Sequence, residues 1–404
     1  MKSNQVFLLI PFLVLILTCN TQQNESISIV KTGAEVLIEN YLPDLAGKRV
    51  GLVVNHTARV GNTLVLDTLI SSGVHVTSIF APEHGYRGES GAGEIIEDGI
   101  DVQTGVHVFS LYGSNKRPTQ EMMESIDILI FDMQDVGARF YTYNTTMKYI
   151  LEAGNEFNKE VWILDRPNPA GGEYVAGWIL EKEFESFVGA YPIPIAHGLT
   201  LGELAIMAVN EGWLKGGTKP DFRVIKMEGW NRSMKWPDTG LEWVPPSPNL
   251  PSFEHAFVYL GTCFFEGTTL SEGRGTSDPF LTIGSPSTNI EPIRLESISK
   301  NYKVELDTVT FIPKSIQGKS LNPKFEGKSA FGVSIKTTPE YDDPVSFGVE
   351  LMHYLMDQSE GAEYKEYLHL LAGTKKIINP NSLQNWGESF EEFTKKRKKY
   401  FLYD

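Results

Sequence analysis

The stretch Val74-His-Val-Thr-Ser-Ile-Phe-Ala-Pro-Glu-His-Gly-Tyr-Arg-Gly-Glu89 begins as a β-branched, apolar run and ends by setting two carboxylates, an imidazole and a guanidinium among glycines. That is a strand delivering a chemistry-bearing loop, the arrangement in which a rigid scaffold presents functional groups. Similar runs occur on either side: Lys48-Arg-Val-Gly-Leu-Val-Val-Asn-His56, Gly105-Val-His-Val-Phe-Ser110, Ile126-Asp-Ile-Leu-Ile-Phe-Asp132 and Glu160-Val-Trp-Ile-Leu-Asp165. Helical spacing over 63–72 and 143–157 separates them. Near-continuous apolar strands alternating with helices predict an α/β fold, a doubly wound, mostly parallel sheet covered on both faces. Ligands bind such sheets beyond the carboxyl ends of the strands. The residues expected on that rim are Asn55-His56, Pro82-Glu83-His84, Leu111-Tyr112-Gly113, Asp132 to Asp135 and Asp165 to Pro169.

The proline-punctuated Tyr191-Pro-Ile-Pro-Ile-Ala-His-Gly198 marks an expected boundary, giving a first domain over 29–195 and a second, α+β domain over 196–404. Thr200 and Glu203 form a capping-box pattern opening a helix over 199–211. Residues 230–251 hold Trp230, Trp236 and Trp243 among several prolines, too irregular for a helix and suited to a lid or a packed loop. The basic, aromatic run 395–403 reads as a solvated helix face.

A chain of 404 residues, 41% hydrophobic, buries a large core, and 36 Lys and Arg against 51 Asp and Glu give a net charge of -15. That balance argues against nucleic acid or an anionic membrane face as a partner. The start is different: a lysine, then Val6 to Leu17 without a charge, then Thr18-Cys19, the pattern of an export signal. Cys19 stands where a bacterial lipoprotein is cleaved and lipidated, so residues 1–18 are expected to be removed and 19–28 to form a polar tether. The expected location is the cell envelope, with a lipid anchor at Cys19 as the membrane contact. Cys263 is the other cysteine; left alone, it reads as a small buried hydrophobe.

Glu83, Glu89, Glu266 and Glu272 are the acid–base candidates, because a carboxyl among glycines and aromatics can have its pKa raised, and glycoside cleavage requires two carboxyls across a cleft. The competing reading pairs Glu89 with Arg87 and Glu266 with Arg274. His84 has no second histidine at ligand spacing, so neither a metal nor another cofactor is expected, though Asp132, Asp135 and His84 leave a metal-dependent hydrolase open. Arg139 offers a fork for a carboxylate, and Tyr141 and Tyr143 offer hydroxyl-bearing rings. No Gly-x-Ser-x-Gly elbow occurs, which counts against an esterase.

Asn55-His-Thr57, Ala81 to Glu89, Asp132 to Tyr143, Asp165-Arg-Pro-Asn-Pro-Ala-Gly-Gly172, Pro248-Asn-Leu-Pro251 and Glu272-Gly-Arg-Gly-Thr276 together resemble the exo-β-N-acetylmuramidases of the NamZ type. The resemblance implies a Rossmann-like N-terminal domain, a smaller C-terminal domain and an active cleft between them. It also implies release of N-acetylmuramic acid from the non-reducing end of peptidoglycan fragments. By resemblance Glu83 is the first catalytic choice, with Glu272 or Glu89 as partner. Asn55, His84, Arg87, Asp135, Arg139, Tyr141, Asn168 and Arg274 are the substrate-binding candidates, Arg139 or Arg274 meeting the lactyl carboxylate. A sugar-binding lipoprotein without catalysis is the other alternative.

Overall fold

The computed structural model describes residues 30–82, 86, 98–113, 115–381 and 386–404. Cys19, Glu83, His84, Arg87 and Glu89 lie outside the described residues.

Twelve strands are present among the described residues. Seven build one sheet: β1 (Arg49–Val54), β4 (His75–Ala81), β5 (Gly99–Ile100), β6 (His107–Ser110), β7 (Ile128–Asp132), β8 (Glu160–Leu164) and β9 (Phe222–Ile225). A hairpin of β2 (Arg59–Val60) and β3 (Thr63–Leu64) follows β1, and β10 (Thr282–Ser285), β11 (Val304–Phe311) and β12 (Ala330–Thr337) form a separate antiparallel sheet. The large sheet runs β5-β6-β4-β1-β7-β8-β9, parallel except at the β5 edge. Leu52 on β1 stands between Ile79 of β4 and Ile130 of β7. The period of two then sorts the apolar residues. Leu52, Ile79, Ile130 and Trp162 share one core with α1 (Gly33–Asn40) and α2 (Val65–Ser71), whereas Val53, Phe80, Phe131 and Ile163 face the other, with α4 (Tyr143–Glu156) and α5 (Leu201–Asn210). A short α3 (Gln120–Glu124) precedes β7.

The chain leaves β1 toward β4 and β6, then returns to β7 on the other side, so the sheet changes direction between β1 and β7. Crevices open at such switch points. Asn55–Thr57 and Met133–Asp135 follow these two strands.

The second unit packs onto the same core. α6 (Phe253–Thr262) crosses α8 (Pro344–Asp357) where Gly261 meets Gly348; a Cβ on Gly261 would lie 1.9 Å from the Pro344 carbonyl. Helices α7 (Pro292–Tyr302), α9 (Tyr367–Ala372) and α10 (Glu388–Lys396) complete the unit.

Two expectations change here. The boundary after residue 195 does not hold, because β9 pairs with β8 and extends the first sheet to residue 225. The proline-rich 191–198 is threaded through the core, with Ile193 and Ile195 fully buried and the Ile195 carbonyl accepting from the Arg139 amide. The basic run is not simply a solvated face either. Arg397 is buried with Nη1 donating to the carbonyls of Gly172 and Gly198, and Tyr403 donates to Asp165 at 2.6 Å.

Candidate active site

A cleft of about 520 Å³ opens between the strand-end rim and the second unit. From the rim it takes Tyr112, which follows β6, and Phe140 to Tyr143, which lead into α4. The loop before α4 is shaped by its own polar atoms. Asp135 Oδ2 accepts from the Gly137 amide at 2.7 Å, and Gly137 has φ +81°, with the Asn168 side-chain oxygen 2.3 Å from where a Cβ would sit. A left-handed, sterically closed position of this kind requires glycine. The turn delivers Tyr141 and Tyr143 edge to face, with centroids 4.8 Å apart. Tyr143 Oη accepts from Asn55 Nδ2 at 2.7 Å and donates to the Pro246 carbonyl at 2.9 Å. Asn55 Oδ1 in turn accepts from the Thr57 amide and hydroxyl, which fixes which way its amide points.

Opposite stands a wall from α6 and the chain after it. Tyr259 presents its ring edge-on to Phe140 and Phe280, and burial pushes its hydroxyl well above the usual range, so it remains a donor. Glu266 and Arg274 line the cleft, with Arg274 Nη2 2.7 Å from Glu266 Oε1. Arg274 Nε lies 3.7 Å from Glu272 Oε1, and Glu272 Oε2 lies 2.8 Å from Lys324 Nζ. Lys324 is held by the carbonyls of Phe265 and Leu270. Burial alone would weaken the guanidinium charge of Arg274. Glu266 and Glu272 more than offset it, and the pKa is raised. The wall is therefore a carboxylate–guanidinium–carboxylate–ammonium row, one end open to the cleft. At the cleft mouth Lys116 sits with Nζ 4.3 Å over the Phe187 ring.

Of the substrate-binding candidates, Tyr141 and Arg274 line the cleft, and Asn55 stands one hydrogen bond behind Tyr143. Three substrate-binding candidates are turned inward. Arg139 is fully buried and donates to the carbonyls of Trp178, Ile193 and Leu371, its pKa pushed down to about 9 by burial, so it clamps backbone and does not meet a substrate carboxylate. Asn168 Nδ2 donates to the Leu199 carbonyl, and its Oδ1 accepts from the Ala170 amide. Asp135 holds the Gly137 turn, with His197 Nε2 3.8 Å away. Glu272 lies behind Arg274 with 4% of its surface exposed, whereas Glu266 is the cleft-facing carboxylate. Of the alternative metal set, Asp132 is fully buried and bound by the Arg166 guanidinium. Burial pushes the Cys263 thiol well up, so it is inert packing. Sequence reasoning missed Tyr259 and Lys324. For Tyr259 a signal existed: Tyr259, Cys263 and Glu266 stand at i, i+4 and i+7 on one helical line.

Comparison with known proteins gives consistent likenesses. The family model described as "Exo-beta-N-acetylmuramidase NamZ, N-terminal" matches residues 50–254, and the corresponding C-terminal model matches 257–403. The peptidoglycan beta-N-acetylmuramidase NamZ of Bacillus subtilis (strain 168) is 41% identical over 392 residues, 93% of this chain and 91% of its own. Crystal structures of two DUF1343 family proteins from Bacteroides fragilis NCTC 9343 superpose with TM-scores of 0.80 and 0.77 at 32% and 35% identity. Each covers 93% of this chain and 99% of its own.

Proposed function

The chain belongs to the exo-β-N-acetylmuramidase NamZ family, and on that premise we propose that it is a glycoside hydrolase releasing N-acetylmuramic acid from the non-reducing end of peptidoglycan fragments. The observation that carries the reading is the cleft, which takes its lining from both family-matched segments and holds Glu266 against Arg274. Cleaving a glycoside requires one carboxyl to protonate the leaving oxygen and a second to activate water or attack the sugar carbon. We assign these roles to Glu83, two positions past the end of β4 in the sequence, and to Glu266. Arg274 fixes the Glu266 carboxylate and carries a permanent positive charge into the site. The rim supplies neutral aromatic surface for a sugar ring, Tyr141 and Tyr143, and Tyr259 adds another ring from across the cleft. Arg274 is the guanidinium placed to meet the lactyl carboxylate.

We further propose that the protein is exported and held in the envelope by a lipid on Cys19. What supports this is the charged start, the apolar run and the Thr18-Cys19 site. No helix among the described residues is long and apolar enough to cross a membrane. Mass spectrometry of the N-terminal peptide tests it; an unmodified Cys19, or a chain still beginning at Met1, sinks the anchor.

The catalytic reading is tested with a MurNAc–GlcNAc disaccharide bearing a chromogenic reducing end, scoring free N-acetylmuramic acid by mass. The parent is expected to release it, and Glu83→Gln and Glu266→Gln each to lose at least about a hundredfold in kcat, the usual contribution of a general acid or base. Full activity in Glu266→Gln would remove that residue from the mechanism and leave Glu83 in place.

A further inference from the structure

Lys324 is not part of the cleft lining; it stands behind the wall, on the connection between β11 and β12. The backbone around it is strained, with φ +50° at Asn322 and +58° at Phe325, left-handed positions that bulky side chains rarely adopt. Such strain persists only where the surroundings hold it, and it clusters at functional sites. What this connection braces is the turn that carries Arg274. The Lys314 amide donates to the Gly275 carbonyl at 3.0 Å. A Cβ on Gly275, at φ +82°, would lie 2.5 Å from the Lys314 carbonyl oxygen and 2.7 Å from Pro323 Cγ. Lys324 Nζ then reaches past the turn, donating to the carbonyls of Phe265 and Leu270 at 2.7 and 2.9 Å and lying 2.8 Å from Glu272 Oε2.

Arg274 stands between two carboxylates with one guanidinium to share. Its Nη2 is 2.7 Å from Glu266 and its Nε 3.7 Å from Glu272, so it favours Glu266. Burial alone predicts the opposite choice. The Glu272 side chain is 5% exposed and that of Glu266 19%, and the more deeply buried carboxylate has the greater need of a counter-charge. The ammonium accounts for the difference. With Lys324 beside it, Glu272 already has a cation, and the guanidinium stays with the carboxylate that faces the cleft.

We propose that Lys324 is a positioning residue: by neutralising Glu272 it leaves Arg274 free to orient Glu266. Without the ammonium, Glu272 keeps the guanidinium as its remaining cation among the described residues and draws it inward, and Glu266 loses its 2.7 Å partner. The consequence for turnover rests on the glycosidase reading and its role for Glu266; the division of the guanidinium between two carboxylates does not.

The test is a double-mutant cycle on turnover of the chromogenic disaccharide. Lys324→Met should lower kcat/KM at least about tenfold. The same substitution made in a Glu272→Gln chain should cost less than about threefold, because a neutral amide makes no comparable claim on the guanidinium. A lysine that only clamped two carbonyls would cost the same in both backgrounds, so equal losses overturn the proposal, as does parental activity in Lys324→Met. Should Lys324→Met lower the melting temperature, Lys324→Gln, which keeps a donor for the carbonyls and removes the charge, goes through the same cycle. The Arg274 Nε–H resonance, read in a chain with nitrogen-labelled arginine, reports on the guanidinium without turnover. It should move on Lys324→Met in the parent and much less in the Glu272→Gln chain, and a resonance that moves equally in both, or in neither, overturns the proposal. Turnover by the parent with no coupling between Lys324 and Glu272 sinks the positioning alone. No turnover by the parent sinks the hydrolase, and the resonance then decides whether Lys324 steers Arg274.

Discussion

The strand-end rim and the wall facing it across the cleft both carry arginines and carboxylates, and they use them differently. On the rim the charges close on themselves: Asp132 is fully buried against Arg166, Arg139 is spent on three carbonyls, and Asp165 is fully buried under Thr200, Gly202 and Tyr403. What this part of the rim shows the cleft is neutral, the rings of Tyr141 and Tyr143. On the wall the row from Lys324 through Glu272 and Arg274 ends at Glu266, which faces the cleft. Ionised groups inside a sheet are useful for holding loops. Ionised groups at a cleft are useful for chemistry.

The largest expected effect comes from breaking a rim pair. Arg166→Met leaves Asp132 buried without a counter-charge and should cost about 3–5 kcal/mol of stability in denaturant melts. Because burial already raises the Asp132 pKa, that defect should shrink at acid pH, where the carboxyl takes up a proton. A melt indifferent to Arg166→Met would show that the rim pair holds nothing. On the wall the order reverses: Arg274→Gln should lower kcat/KM at least about a hundredfold, or roughly 2.7 kcal/mol, with a smaller change in stability. An unchanged kcat/KM in Arg274→Gln would mean that the guanidinium takes no part in turnover.

Asp165 gives the comparison a pH axis. Burial raises its pKa to about 6 in spite of the hydrogen bonds from Tyr403 and Thr200, against an ordinary value of 3.8. The folded state then binds more protons than the unfolded one between about pH 4 and 6. This group's contribution to stability is greatest below that window and falls away as the pH rises through it. The unfolding free energy of the parent relative to Asp165→Asn, from denaturant melts, should therefore decline from pH 4 to pH 6, by roughly 2 kcal/mol in all. A flat difference would refute the shift. The smallest effect belongs to the neutral face of the rim. Tyr143→Phe removes one hydroxyl between Asn55 and Pro246, about 1 kcal/mol, and should raise KM more than it lowers kcat.

The parallel sheet was legible because burial on both faces leaves nearly unbroken apolar runs, and all five of the strands read from those runs are present. β9 escaped because Phe-Arg-Val-Ile is short and half exposed at the edge of its sheet. The site was legible as residue types and less so as directions. Arg139 and Arg274 look equally suited to a carboxylate in one dimension, and only the path of 178–193 and α9 around Arg139 turns the first into a clamp. Glu266 and Glu272 present the same difficulty, since six residues of separation do not reveal which one stands behind the guanidinium.

Tyr403 reaches back across 238 residues to Asp165. The Leu402 amide likewise meets Glu203, and the Asp404 carbonyl accepts from the Arg232 amide. Ties of such sequence separation raise contact order and slow the final step of folding. They also make the two units melt as one, so hydrogen exchange at the carboxyl end of β8 should report global unfolding and not local fraying.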